Sequence, residues 1–232
     1  MRIINFTKSG KNKEFLGLLV IPSEFLMGTI INRFSFGENQ LLKAVLNVSV
    51  FVIGFLVIIW LFKDFLKLQW QYYKQNKLWL KLIANVCLVV GAYGILALTK
   101  SFLNKPLSIN DSNQLSSTMI SLMLIGSIQP FIAPFAEELT FRYLLFGKFN
   151  SRVLKGIMFF VSSILFGLVH INNFDGDWIQ TIPYMLVGAY FAIIYSFFHN
   201  IWSNIIVHWI FNSINSVIPA LFLVILKLIG TI

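Results

Sequence analysis

Apolar positions along this chain fall in long, nearly unbroken blocks. They show neither the two-residue alternation of a half-buried strand nor the narrow stripe of a soluble amphipathic helix. The clearest block is 41–62, with a single lysine near its start. It makes about 33 Å of helix, enough to cross a hydrocarbon core of about 30 Å. Further blocks lie at 15–32, 78–99, 153–171, 178–198, 201–215 and 217–229, the last two divided near Pro219. Block 15–32 is interrupted by Pro22 and Glu24. One stretch, 117–146, is apolar but contains Pro130 and Pro134. Proline is accepted at a helix start and disrupts an interior. The stretch therefore reads as two pieces, 117–129 and 131–148, or as one strongly kinked helix. Together the pattern predicts an all-α fold, a polytopic transmembrane bundle of about eight helices.

Composition agrees. The 232 residues are 57% hydrophobic and 12% charged, against about 25% charged in a soluble domain. The net charge of +9 has no basic face of a soluble fold to sit on, which argues against nucleic acid as a partner. Membrane lipid is the expected partner, with lysines and arginines gathered in cytoplasmic loops. They cluster at Arg2, Lys8, Lys11 and Lys13, in loop 63–81, and in loop 147–155, which has Lys148, Arg152 and Lys155. Loop 172–177 carries Asp175 and Asp177 instead. Eight crossings with both termini cytoplasmic satisfy that alternation. Cys87 is the one cysteine, so it forms no intrachain disulfide, and it reads as a small buried filler. No cleavable signal peptide is evident in residues 1–14. Lysine outnumbers arginine 14 to 4, which points to a bacterial plasma membrane. Residues 1–115 read as N-terminal membrane helices without motifs and 116–232 as the part that carries chemistry, within one integral membrane domain. The longest polar loop spans about 100–115.

Three charges interrupt the apolar pattern together: Glu137, Glu138 and Arg142 in PFAEELTFRYLLF. Each would cost roughly 2.5–3.5 kcal/mol at a bilayer centre unless compensated. Glu138 and Arg142 share a helix face at i,i+4 in the favourable order, acid first. Glu137 is rotated about 100° away and is left to face something else. Partners are at hand. Phe166 and His170 are i,i+4 near the end of one apolar block, and Asn204, His208 and Asn212 form a polar stripe along another. His199 sits in a short turn and reads as interfacial. Counted from the turn near residue 150, Glu137 lies about 15 Å deep and His170 about 24 Å, a difference that tilt and side-chain reach can close. Glu137, His170, His208 and Asn212 can therefore converge, braced by Glu138 and Arg142. Taken singly, each has a bland explanation as packing glue. Together they are the parts of a hydrolytic site: a carboxylate to take a proton from water, and imidazole and amide N–H groups for a developing oxyanion. No serine or cysteine shares these stripes, which favours direct attack by water over an acyl-enzyme. Zinc held by Glu137, His170 and His208 is the alternative, although H-E-x-x-H is missing. No cofactor is favoured; zinc is possible.

Glu137-Glu138-x-x-x-Arg142, Phe166-x-x-x-His170 and His208-x-x-x-Asn212, in this order, resemble the CPBP intramembrane proteases. These are the type II CAAX prenyl endopeptidases and their bacterial relatives, the bacteriocin-processing, self-immunity or Abi proteins. The resemblance covers roughly 130–215. It implies an eight-helix membrane endopeptidase in which Glu137 activates water with help from His170. His208 and Asn212 then form an oxyanion hole, and Glu138 and Arg142 are supporting residues, as are Phe166 and Asn204 on the same stripes. It also implies a glutamate-based reaction in preference to a metal-based one. Tyr143 stands where many members have a small residue. The substrate expected is a membrane-associated peptide or protein. A non-catalytic bacteriocin self-immunity or peptide-binding protein is the alternative function, and a small proton-coupled transporter a more distant one.

Overall fold

The computed structural model describes residues 12–34, 36, 39–75, 77–102 and 116–230. The expected polar loop at 100–115 falls, apart from its first residues, outside them. Every regular element among the described residues is helical: α1 (Val20–Arg33), α2 (Gln40–Lys74), α3 (Leu78–Phe102), α4 (Ser117–Glu138), α5 (Arg152–Leu168), α6 (Ile182–Phe198), α7 (Ile201–Asn212) and α8 (Ile218–Leu228). A 3₁₀ segment, Asn12–Leu19, leads into α1. Two π-helical segments extend their neighbours without a break: Leu139–Gly147 continues α4, and Ser213–Val217 joins α7 to α8.

The all-α bundle stands, with seven helical rods where eight were expected. The break anticipated near Pro219 does not occur. Pro219 lies in the first turn of α8, and the π segment carries the chain straight through. Six of the rods are long and apolar enough to cross a membrane among the described residues. At 17 residues, about 25 Å, α5 falls short of that length. The chain is an integral membrane protein. The expected basic loop 63–81 is mostly helix, because α2 runs 35 residues to Lys74, about 52 Å. Such a rod outruns the hydrocarbon core and carries Lys63, Lys67 and Lys74 on its far part. Lys81 then caps that end, donating to the carbonyls of Tyr73 and Gln75 at 2.6 Å each.

Of the two readings for the proline-containing stretch, the continuous helix is the one found. Pro130 and Pro134 both lie inside α4. A proline at 134 leaves the carbonyl of residue 130 without its i+4 donor. Asn212 of α7 supplies one, donating Nδ2–H to the Pro130 carbonyl at 2.9 Å. Membrane helices keep interior prolines where a neighbouring helix repairs the ladder in this way. Pro22 sits in the first turn of α1, so the interruption foreseen there is a helix start. Cys87 is exposed on the outside of α3, not a buried filler.

The core lies where α4 and α7 meet α1, α2 and α6, around Phe62, Leu139, Phe166, Phe191, Ile201 and Val207. Two glycines bring α5 and α6 close. A Cβ at Gly167 would stand 2.8 Å from the Met185 backbone nitrogen and 2.9 Å from the Thr181 carbonyl, and one at Gly188 3.0 Å from the Ser163 carbonyl. Membrane helices gain contact in this way, through small residues that let backbones approach. The N-terminal 3₁₀ segment is fastened to the end of the α4 rod. Glu14 Oε2 accepts from the Tyr143 hydroxyl at 3.0 Å and from Lys148 Nζ at 2.9 Å.

Candidate active site

Glu137 and Glu138 end α4, at the point where the helix widens into its π segment. π-turns are rare and recur at functional sites. Here Arg142 lies against Glu138, with Nε 3.3 Å from Oε2 and both side chains fully buried. The pair has further support. Asn204 Nδ2 donates to Glu138 Oε2 at 3.3 Å and to the Phe191 carbonyl at 2.7 Å. Arg142 Nη2 donates to the Gly188 carbonyl at 3.2 Å. The guanidinium also lies 4.0 Å from the centre of the Phe166 ring and 5.3 Å from that of Phe191. A desolvated cation over an aromatic face gains about 2 kcal/mol. A buried charge needs this density of partners to survive removal from water.

His208 lies between the two glutamates. Its Nδ1 is 2.8 Å from Glu138 Oε1, and its Nε2 is 3.6 Å from Glu137 Oε2. A carboxylate only accepts, so the Nδ1 hydrogen belongs to the bond with Glu138. That fixes the ring and turns Nε2 toward Glu137. Glu137 Oε2 is buried and has no hydrogen-bond partner. Of the two adjacent acids, Glu138 is committed to three side chains, and Glu137 keeps an oxygen uncommitted.

Phe166 is the hub of the remaining groups. Its ring centre stands 5.6 Å from that of His208, 5.5 Å from that of His170 and 5.9 Å from that of Phe191. His170 caps the short 3₁₀ turn Ile171–Phe174 after α5, and its ring lies 4.7 Å from Tyr184. It is an electrostatic neighbour of Glu137, His208 and Arg142. Asn212 is the member set apart, with one amide hydrogen on the Pro130 carbonyl and a second still to spare. His199 is exposed at the αL C-cap of α6, away from these groups. The structure thus brings together Glu137, Glu138, Arg142, Phe166, Asn204 and His208, and adds His170 through Phe166. Among the described residues no three His, Cys, Asp or Glu side chains gather as a metal-ligand set.

Sequence reasoning passed over two participants. The Gly188 carbonyl has no sequence signal at all. Glu24 had one, a lone acid in an apolar block, yet it read only as an interruption. It is buried on α1 and is an electrostatic neighbour of Glu137.

Comparison with known proteins points the same way. The chain aligns over 215 residues with an uncharacterised protein of Mycoplasma capricolum subsp. capricolum, 27% identical over 86% of this chain and 62% of that protein. It aligns over 94 residues with YdiL of Bacillus subtilis, whose name places it provisionally among membrane peptidases, at 29% identity over 40% of this chain and 36% of that protein. It aligns over 84 residues with the UPF0177 protein YxdF of Lactococcus lactis subsp. lactis, at 34% identity over 36% of this chain and 42% of that protein. The chain spans less than two thirds of the length of each. No solved structure matches it. The stretch holding Glu137, Glu138, Arg142, Phe166, His170, Asn204, His208 and Asn212 falls within residues 119–214, which match the family model described as type II CAAX prenyl endopeptidase Rce1-like.

Proposed function

We propose that this protein is an intramembrane endopeptidase that hydrolyses a peptide bond of a membrane-associated peptide or protein, with Glu137 as the base. The observation that carries the reading is the uncommitted, buried Oε2 of Glu137 facing His208 Nε2 at 3.6 Å. In the reaction Glu137 takes a proton from water, and the water oxygen attacks the peptide carbonyl carbon. His208, flanked by two carboxylates, offers Nε2–H to the oxyanion when doubly protonated, and the spare N–H of Asn212 offers a second donor. The carbon–nitrogen bond then breaks, and the proton held by Glu137 passes to the departing nitrogen. His170 assists at Glu137. Glu138, Arg142, Asn204 and Phe166 hold the array. The Rce1-like match over 119–214 and the name of YdiL support the peptidase class. No step is routed through a metal, and the setting is a bacterial plasma membrane.

The test compares membranes from cells producing the wild-type or the Glu137→Gln protein for newly formed peptide termini. Termini present with wild type and lost with Glu137→Gln support the reading. Identical termini in both remove Glu137 as the base, and none in either favours a non-catalytic immunity or peptide-binding role. Loss of wild-type cleavage under 1,10-phenanthroline, restored by zinc, would overturn the metal-free mechanism.

A further inference from the structure

Glu24 lies midway along the membrane span Lys13–Arg33. Its residue is only 7% exposed, and among the described residues no hydrogen bond or ion pair holds its carboxyl. The fold nonetheless makes room for it. Oε1 occupies the space that a Cβ at Gly54 of α2 would need, so a glycine there is what admits the acid between α1 and α2. Glu137 of α4 is its electrostatic neighbour. Between Lys43 and Lys63, α2 carries no charge to offset it. The other acid of the N-terminal segment, Glu14, is already engaged by Lys148 and Tyr143.

Charge accounting across the site is therefore uneven. Glu138 and Arg142 cancel. Glu137 has His208 beside it. Glu24 has no cation among the described residues, and an uncompensated carboxylate at this depth carries a large desolvation cost. A buried carboxyl without a cation or hydrogen-bond donor relieves that cost by keeping its proton.

We infer that Glu24 is a further acidic member of the site, a protonated carboxylic acid that adds no second negative charge to the surroundings of Glu137. It touches no reacting atom; it is a positioning residue for the charge of Glu137. The functional meaning rests on the peptidase reading, but the protonation does not.

The experiment is infrared spectroscopy of the purified protein in lipid vesicles at neutral pH, without substrate, comparing wild type, Glu24→Gln, Glu137→Gln and Gly54→Ala. A protonated carboxyl shows a carbonyl stretch, shifted in heavy water, distinct from the bands of a carboxylate. The expected result is such a band in wild type, retained in Glu137→Gln, lost in Glu24→Gln, and displaced in Gly54→Ala, where the added methyl moves the acid. Glu24→Gln is isosteric and removes only the ionisable group. A wild type without the band, or a band that survives Glu24→Gln and vanishes in Glu137→Gln, overturns the inference. Because the readout needs no cleavage, a chain that failed the peptide-terminus comparison would still decide this question, and the reverse holds as well.

Discussion

At the scale of single residues, two adjacent glutamates with the same chemistry have unequal surroundings. Glu138 is fully buried and serves Arg142, Asn204 and His208 at once. Glu138→Gln removes the counter-charge of a guanidinium that cannot reach water, and breaking a buried pair from one side costs about 3–5 kcal/mol. Thermal unfolding in detergent should show that loss as a markedly lowered midpoint. Glu137→Gln removes a group with one oxygen unbonded, so its unfolding midpoint should stay near that of wild type while peptide cleavage falls by at least a hundredfold. Phe166 touches His170, His208 and Arg142 together, and Phe166→Leu should lower both stability and cleavage because it withdraws the surface on which both imidazoles rest.

At the scale of elements, the proline-bearing helix gives the sharpest test of what Asn212 does. Its amide repairs the Pro130 carbonyl, so Asn212→Ala should cost about 0.6–1 kcal/mol. Pro134→Ala restores a backbone N–H in register with that carbonyl. The double variant should therefore regain the stability lost in Asn212→Ala. If cleavage does not return with it, Asn212 also serves the oxyanion; if it does, the residue is a helix brace alone. The same region marks how far sequence reading reached. Block lengths and apolar runs located every rod, because lipid demands long apolar helices whatever they pack against. Proline rules from soluble helices favoured a break, and they gave way because Asn212, 82 residues further on, mends the ladder. Four-residue spacing exposed the stripe Asn204–His208–Asn212. It could not reveal that His208 bridges both glutamates, since that depends on how α7 packs against α4, which spacing within one helix does not encode. Gly188 contributes a carbonyl and Gly54 an empty space, and neither is a side chain that a motif could register.

At the scale of the whole molecule, the N-terminal segment is tied to the end of the α4 rod through Glu14, Tyr143 and Lys148. Glu14→Gln weakens the ionic part and keeps the shape. Protease should then cut the region before α1 several-fold faster, with the infrared band assigned to Glu24 unmoved, because that acid lies about 17 Å further along the chain. The Glu138–Arg142 pair also bears on the order in which the chain is made. Both residues belong to one rod and meet as soon as that rod forms, so it can enter lipid with its charges already matched. His208, Asn204 and Asn212 are synthesised some 60–75 residues later. Until they arrive, the Pro130 carbonyl lacks its donor and Glu137 its imidazole neighbour. Biogenesis therefore passes through a stage in which the membrane holds a charged but unassembled site, and a chain interrupted before Asn204 would remain there, inserted and inert, a natural target for membrane quality control.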